Sequence, residues 1–318
     1  MAGEVLVSVE RVWRSYGELV AVRDLNFELR RGEVLGFLGP NGAGKSSTMQ
    51  MLAGSLAPSA GRIRIQGVDL LDEPGRAKAF LGYLPEQPPV YPELSVREYL
   101  RFCARLHAIP RSAVQAAMDR AMQRCGLTDV ADRLIGNLSK GYQQRAGIAQ
   151  AIIHEPAVVI LDEPTVGLDP IQIREIRNLI HELGRDHSVI LSTHILPEVQ
   201  TLCSRVLIIH RGRVVYSDSM QSLDAGLGAD RLVLGALRLP DEKLLANLPG
   251  VTGVEMLGGN RARLRYAADA EFPARLSVAA VDGNWGLLEL TPERKTLEQV
   301  FVEFTSGDAP GAGREQAA

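Results

Sequence analysis

Residues 39–47, GPNGAGKSS, carry the spacing GxxxxGK[ST], and the chemistry that spacing serves is holding the phosphates of a nucleotide. Gly39, Gly42 and Gly44 have no Cβ, so the backbone can curl and turn several N–H donors onto one anion, with Pro40, Asn41 and Ala43 completing the loop. Lys45 can set a point charge on the β- and γ-phosphates, the Ser46 hydroxyl can join a Mg²⁺ shell, and Ser47 can reach the α-phosphate. A helix starting here adds its positive dipole end. The plain alternative is a glycine-rich turn ahead of an ordinary helix.

A second group of chemistry-bearing residues follows an all-apolar run, AVVIL at 157–161, which ends in Asp162 and Glu163. Asp162 can hold Mg²⁺ through water and Glu163 can polarise an attacking water as general base; the bland reading is two acids capping a helix. His194 stands just past the run 188–193, where it can contact a γ-phosphate. Ser139 and Gly141 open a helical stretch, LSKGYQQRAGIAQAII at 138–153, either as a second anion site or as a capped helix and nothing more. Tyr16, in Ser15-Tyr16-Gly17, can stack on an adenine ring or simply pack at a strand edge. Gln87 lies in LPEQPPVYPELS (84–95) and by itself reads as a polar loop residue.

These residues need elements to carry them. Alternating patterns at 4–12 and 20–29, the run 34–38, and GRIRIQ at 61–66 predict strands, as do 80–84, 157–161, 188–193, 204–209 and 212–216. The all-apolar run 157–161 fits a central parallel strand, whose carboxyl end is where open α/β sheets bind ligands. Helical periodicity over 95–153 predicts an insert in an α/β core, and Asp169-Pro170 starts a helix over 170–184. The first domain then runs over 4–226, with Gly226-Leu227-Gly228 as a linker. Strands at 231–238, 251–257, 261–266 and 284–290, with helices at 240–248, 270–281 and 294–305, predict a small α+β ferredoxin-like domain over 229–306. Arg261, Arg263 and Arg265 alternate on one strand face and read as solvated; 307–318 reads as a disordered tail.

At 318 residues and 46% hydrophobic, the chain is long enough for two domains. A net charge of −3 supplies no electrostatic reason to expect nucleic acid. Cys103, Cys125 and Cys203 lack metal-type spacing, which argues for buried thiols in a reducing compartment. Glu4 stands where a signal peptide would be basic, and no apolar stretch approaches the roughly 20 residues a membrane span needs. A cytosolic protein is expected, reaching a membrane only through a partner.

The phosphate loop, the Gln87 loop, LSKGYQQR, VVILDEP, GLDP and STH occur in one order, and over residues 4 to about 226 the chain resembles the ATP-binding subunit of an ABC transporter. LPEQPPVYPELSVREYL, SKGYQQR and TLEQVFVEFT are similar to the ABC-2 export class, especially gliding-motility-type ATPase subunits. The resemblance implies a P-loop NTPase fold with a RecA-like core, an antiparallel β subdomain and a helical subdomain. It implies ATP and Mg²⁺ as cofactors, Tyr16 on the adenine, Gly39 to Ser47 around the triphosphate, Gln87 sensing Mg²⁺ and water, and Glu163 as catalytic base. His194 would hold the γ-phosphate, Asp169 communicate across a homodimer, and Ser139 and Gly141 reach the γ-phosphate bound by the other copy. It further implies a separate transmembrane permease and a place on the cytoplasmic face of the membrane. The family's LSGGQ is here LSKGY, so Lys140 and Tyr142 depart from the pattern while Ser139 and Gly141 keep it. The rival is a soluble ABC ATPase acting on DNA or ribosomes; the lack of a long heptad stretch between Lys45 and Asp162, and a single cassette, count against it.

Overall fold

The computed structural model describes residues 3–225, 231–267, 269, 271–293 and 296–305. The chain divides into two compact units, one of Met1–Ser219 with Phe304–Ala318 and one of Met220–Glu303. The predicted linker Gly226 to Gly228 and the tail 307–318 lie outside the described residues.

The first unit opens with β1 (Val5–Tyr16) and β2 (Leu19–Arg30), then β3 (Val34–Leu38) and α1 (Lys45–Leu52), β4 (Ala60–Ile65), β5 (Val68–Asp69), α2 (Pro74–Lys78) and β6 (Leu81–Leu84). The helices α3 (Val96–Leu106), α4 (Val114–Arg124) and α5 (Lys140–Ile152) follow. The unit continues through β7 (Val158–Asp162), α6 (Pro170–Asp186), β8 (Ser188–Thr193), α7 (Leu196–Leu202), β9 (Arg205–His210) and β10 (Arg213–Ser219).

Two sheets result. β2-β1-β4-β5 is antiparallel, its alternating residues Val7, Val9, Ile63 and Ile65 turned to the core. The six-stranded sheet runs β10-β9-β3-β8-β7-β6, parallel except at the β10 edge. Every residue of β7 and β8 is buried, which is why Val158–Leu161 and Val189–Leu191 read as apolar runs rather than alternations. Helix α1 packs on β2, β7 and β8, and its Met49, Met51 and Leu52 join both sheets in one core. Burying those three side chains, at roughly 1.5–3 kcal/mol each, anchors the helix whose amino end carries the phosphate loop.

The insert is helical, as the periodicity predicts. Ser95 caps α3 in a reciprocal box with Glu98, and Val96, Tyr99, Leu100 and Cys103 form its buried stripe against α4 and α5. Just past α5, the His154 ring stacks on His107 at 3.7 Å, and its Nε2 lies 3.1 Å from the Leu81 carbonyl. Burial, then the neighbouring His107, hold the His154 pKa down at about 4, against an ordinary 6.5. The folded chain therefore binds this proton less readily than the unfolded chain, so stability present above pH 6.5 is lost as the pH falls towards 4. In His154→Gln, the drop in Tm over that window should be shallower than in the parent, measured by thermal denaturation across a pH series.

The second unit holds α8 (Met220–Ala225), β11 (Arg231–Ala236), α9 (Glu242–Ala246), β12 (Val251–Gly258), β13 (Arg261–Tyr266), α10 (Phe272–Asp282), β14 (Leu287–Pro292) and α11 (Leu297–Thr305), the last ending across the division. The division after Ser219 gives α8 to this unit, whereas the sequence pattern places the end of the first domain near 226. Its antiparallel sheet runs β12-β13-β11-β14, the order of a split βαβ sandwich, over a core of Leu232, Leu234, Leu264, Phe272 and Trp285. Arg261 pairs with Glu289, and Arg263 with Glu255 and Glu293, so a solvated charge ladder accounts for these two arginines.

Candidate nucleotide site

In the six-stranded sheet β8 lies between β3 and β7, with Leu38 level with Thr193 and Asp162 level with Ser192. Three neighbouring strands thus end side by side, and the residues just beyond them converge: the phosphate loop after β3, His194 after β8, Glu163 after β7. They line a cavity of about 580 Å³ together with Tyr16, Pro40, Asn41, Gly42, Gly44, Ser46, Ser47, Glu86 and Val166.

The loop geometry suits an anion. Gly44 sits at φ 105° and a Cβ there would fall 2.6 Å from the Ala21 carbonyl, so only glycine fits. Helix α1 begins at Gly44 without a side-chain cap, in contrast to α3, α5 and α6, which Ser95, Ser139 and Asp169 cap. Its first N–H groups are thus left for a ligand. Gly39 and Ala43 do not line the cavity: the Gly39 carbonyl accepts from Lys45 Nζ at 2.7 Å, and Ala43 is buried beneath the loop.

Lys45 is 6% exposed and its Nζ stands 3.4 Å from Glu163 Oε1, while Glu163 Oε2 lies 2.8 Å from His194 Nδ1. Cation, carboxylate and imidazole therefore form one chain of contacts. Glu163 holds a left-handed φ of 48°, unusual for a non-glycine residue, with its N–H donating to the Ser192 carbonyl at 2.9 Å. Tyr16 ends β1, its hydroxyl 3.3 Å from Ser47 Oγ, with the Arg14 guanidinium 4.5 Å over its ring.

Asp162 is buried one residue behind the cavity. Burial raises its pKa, and the charges of Glu163 and Glu86 add to the shift. Its Oδ1 has no hydrogen-bond partner among the described residues. A buried carboxylate oxygen left over beside the Ser46 loop fits a divalent cation, and Asp162, Ser46 and Glu86 are the oxygens that would serve it.

The Gln87 loop meets the cavity through the residue before Gln87. Gln87 is exposed and does not line the cavity; Glu86 does, and its charge is felt at Asp162. Both residues are exposed in the bend that follows β6, and of the pair it is Glu86 that lines the cavity. Ser139, Gly141 and Asp169 also stand outside the cavity lining: Ser139 accepts from the Tyr142 N–H at 3.5 Å, and Asp169 from the N–H groups of Ile171 and Gln172 at 2.9 Å each. Glu86 and the buried Glu198 carry no motif that marks them in the sequence; for the first, a carboxylate in a proline-rich loop is the one signal.

The family model described as ABC transporter matches residues 22–166, spanning the phosphate loop through Glu163. The ABC transporter ATP-binding protein NatA of Bacillus subtilis is 38% identical over 205 residues, 64% of this chain and 83% of that protein. The chain belongs to the ABC transporter ATP-binding protein family. The activity of this family is ATP hydrolysis coupled to transport, and the cavity lies within and beside the matched stretch. The linearmycin resistance ATP-binding protein LnrL of Bacillus subtilis is 28% identical over 305 residues, 94% of this chain and 98% of that protein, so the likeness extends through the second unit. Among solved structures, cbiO1 from Clostridium perfringens, part of the transporter complex cbiONQ, superposes with a TM-score of 0.64 at 30% identity, over 70% of this chain and 91% of that one.

Proposed function

We propose that the cassette is the ATP-hydrolysing subunit of an ABC-2 type exporter, working as a head-to-tail homodimer on the cytoplasmic face of the membrane and driving a separate permease. The observation that carries the reading is a division of labour. Lys45, Glu163 and His194 share one cavity, whereas Ser139 and Gly141, which open a helix as anion-binding groups do, are absent from its lining. A second copy facing the first brings its Ser139 and the start of its α5 to the γ-phosphate, adding positive potential where charge builds up in the transition state.

The roles follow from the geometry. Tyr16, backed by Arg14, offers a ring for adenine. The loop from Gly39 to Ser47 wraps the phosphates with Lys45 as counter-charge. Ser46 and Asp162, with Glu86 in the position expected of Gln87, would hold a Mg²⁺ ion, which when bound would supply counter-charge to the phosphates. Glu163 takes the proton of the attacking water, His194 holds Glu163 and the γ-phosphate, and Asp169 heads the helix that faces the partner. ATP then clamps two copies together and its hydrolysis releases them.

No helix among the described residues is long and apolar enough to cross a membrane, so on this reading the permease supplies the membrane spans. A surface on the helical insert fits such a partner: Tyr91 and Phe102 are 45% and 40% exposed with their rings edge to face at 5.6 Å, and Leu106 and Leu134 are exposed on the same insert. The linearmycin resistance in LnrL's name supports export as the direction. Phe102→Glu should lose most of the ATPase stimulation that membranes containing the cognate permease confer. Stimulation at the parent level in a membrane titration would send the docking surface elsewhere.

A further inference from the structure

Glu198, on α7, is fully buried, and its carboxylate is where the two loops of the site are tied together. Its Oε1 accepts from Thr165 Oγ1 at 2.7 Å, and its Oε2 accepts from Thr193 Oγ1 at 2.8 Å. Arg177, on α6, stands 3.4 Å from Oε1. Thr165 lies two residues beyond Glu163, and Thr193 directly precedes His194. One side chain thus spans from the loop of the base to the loop of the imidazole, and on to the helix that Asp169 caps.

The direction of these bonds explains why an acid stands here. An ionised carboxylate only accepts, so both threonine hydroxyls must donate to it. Thr193 Oγ1 then keeps its lone pairs free, and it accepts the Ile195 N–H at 3.0 Å. That last bond closes the turn on which His194 is carried. Meanwhile Thr165 is held in the segment that follows the left-handed φ of Glu163, a conformation that persists only where its surroundings over-determine it. The 2.8 Å contact between His194 Nδ1 and Glu163 Oε2 depends on both loops keeping their relative position.

We propose that Glu198 is a positioning residue for ATP hydrolysis, setting the His194–Glu163 contact through Thr193 and Thr165; this rests on the roles of Glu163 and His194 proposed above. Among the described residues no hydrogen bond or ion pair joins Glu198 to the phosphate loop, so nucleotide binding is predicted to survive its loss. The test is Glu198→Gln in the full chain, alone and combined with His194→Ala, with melting, ATP affinity, KM and kcat measured for each. In the single variant, kcat should fall about 10- to 100-fold with Kd and KM for ATP within about twofold of the parent. In the His194→Ala background the contact is already gone, so adding Glu198→Gln should change kcat by less than about twofold. Parent-level kcat in Glu198→Gln, an undiminished loss in the His194→Ala background, or a loss of ATP affinity in step with kcat would each overturn the proposal. Should Glu198→Gln fail to fold, Thr193→Val removes one arm of the same tie and is read by the same cycle. The two readings separate cleanly: if Glu163→Gln and His194→Ala both turn over ATP at the parent rate, the site assignment fails and the proposal with it. If those two are impaired while Glu198→Gln is not, only the positioning role fails.

Discussion

Glu163→Gln is expected to bind ATP at least as tightly as the parent while its turnover falls by a factor of about 10² to 10⁴, the usual yield of a positioned general base. The amide keeps the size of the carboxylate and can still meet His194, but it cannot take a proton from water. It also removes a negative charge 3.4 Å from Lys45 at the place where the γ-phosphate must arrive. Binding therefore gains and chemistry stops, so ATP-bound pairs accumulate. Size-exclusion chromatography with and without ATP should show a stable dimer for the variant and a transient one for the parent. Hydrolysis at the parental rate would remove Glu163 from the role of base.

The second large effect comes from splitting a site between two chains. Lys45→Ala deletes the phosphate counter-charge and leaves Glu163, 7% exposed, without the cation beside it, so nucleotide affinity should collapse and the homodimer should be inactive. Ser139→Ala keeps Lys45 but deprives the facing site of its hydroxyl. Mixed in equal amounts, the two variants form heterodimers in which one site has lost both groups and the other has both intact. With half the dimers mixed, each with one working site, ATPase activity should recover to about a quarter of the parental value. Activity no greater than the sum of the separate variants would show that Ser139 does not complete the partner's site.

How much of this was legible beforehand follows from the range of the interactions involved. The phosphate loop is local: glycine, lysine and hydroxyl positions are dictated by backbone curvature over nine residues, and Gly44 at φ 105° is the outcome that spacing announces. Asp162 and Glu163 were readable because full burial of β7 leaves an all-apolar run whose end is marked by acids. The helical insert was readable because Val96, Tyr99, Leu100 and Cys103 recur at helical spacing. Gln87 takes its expected role from the family resemblance alone, and that its neighbour Glu86 lines the cavity depends on how the segment leaves β6. Glu198 was invisible for a related reason. Nothing in LPEVQ distinguishes a buried acid from a solvated one, and its partners lie 5 and 33 residues away.

What the sequence alone determined, then, is the set of chemical groups and the strands and helices that carry them, since apolar periodicity, capping residues and glycine placement act within a few residues of each other. Only the tertiary structure decided that β8 inserts between β3 and β7, and this sets His194 against Glu163, which in turn faces Lys45, rather than at a distant edge. Strand order in a parallel sheet is chosen by how whole helices and sheets bury their apolar faces against one another, a long-range competition that no local pattern along the chain encodes.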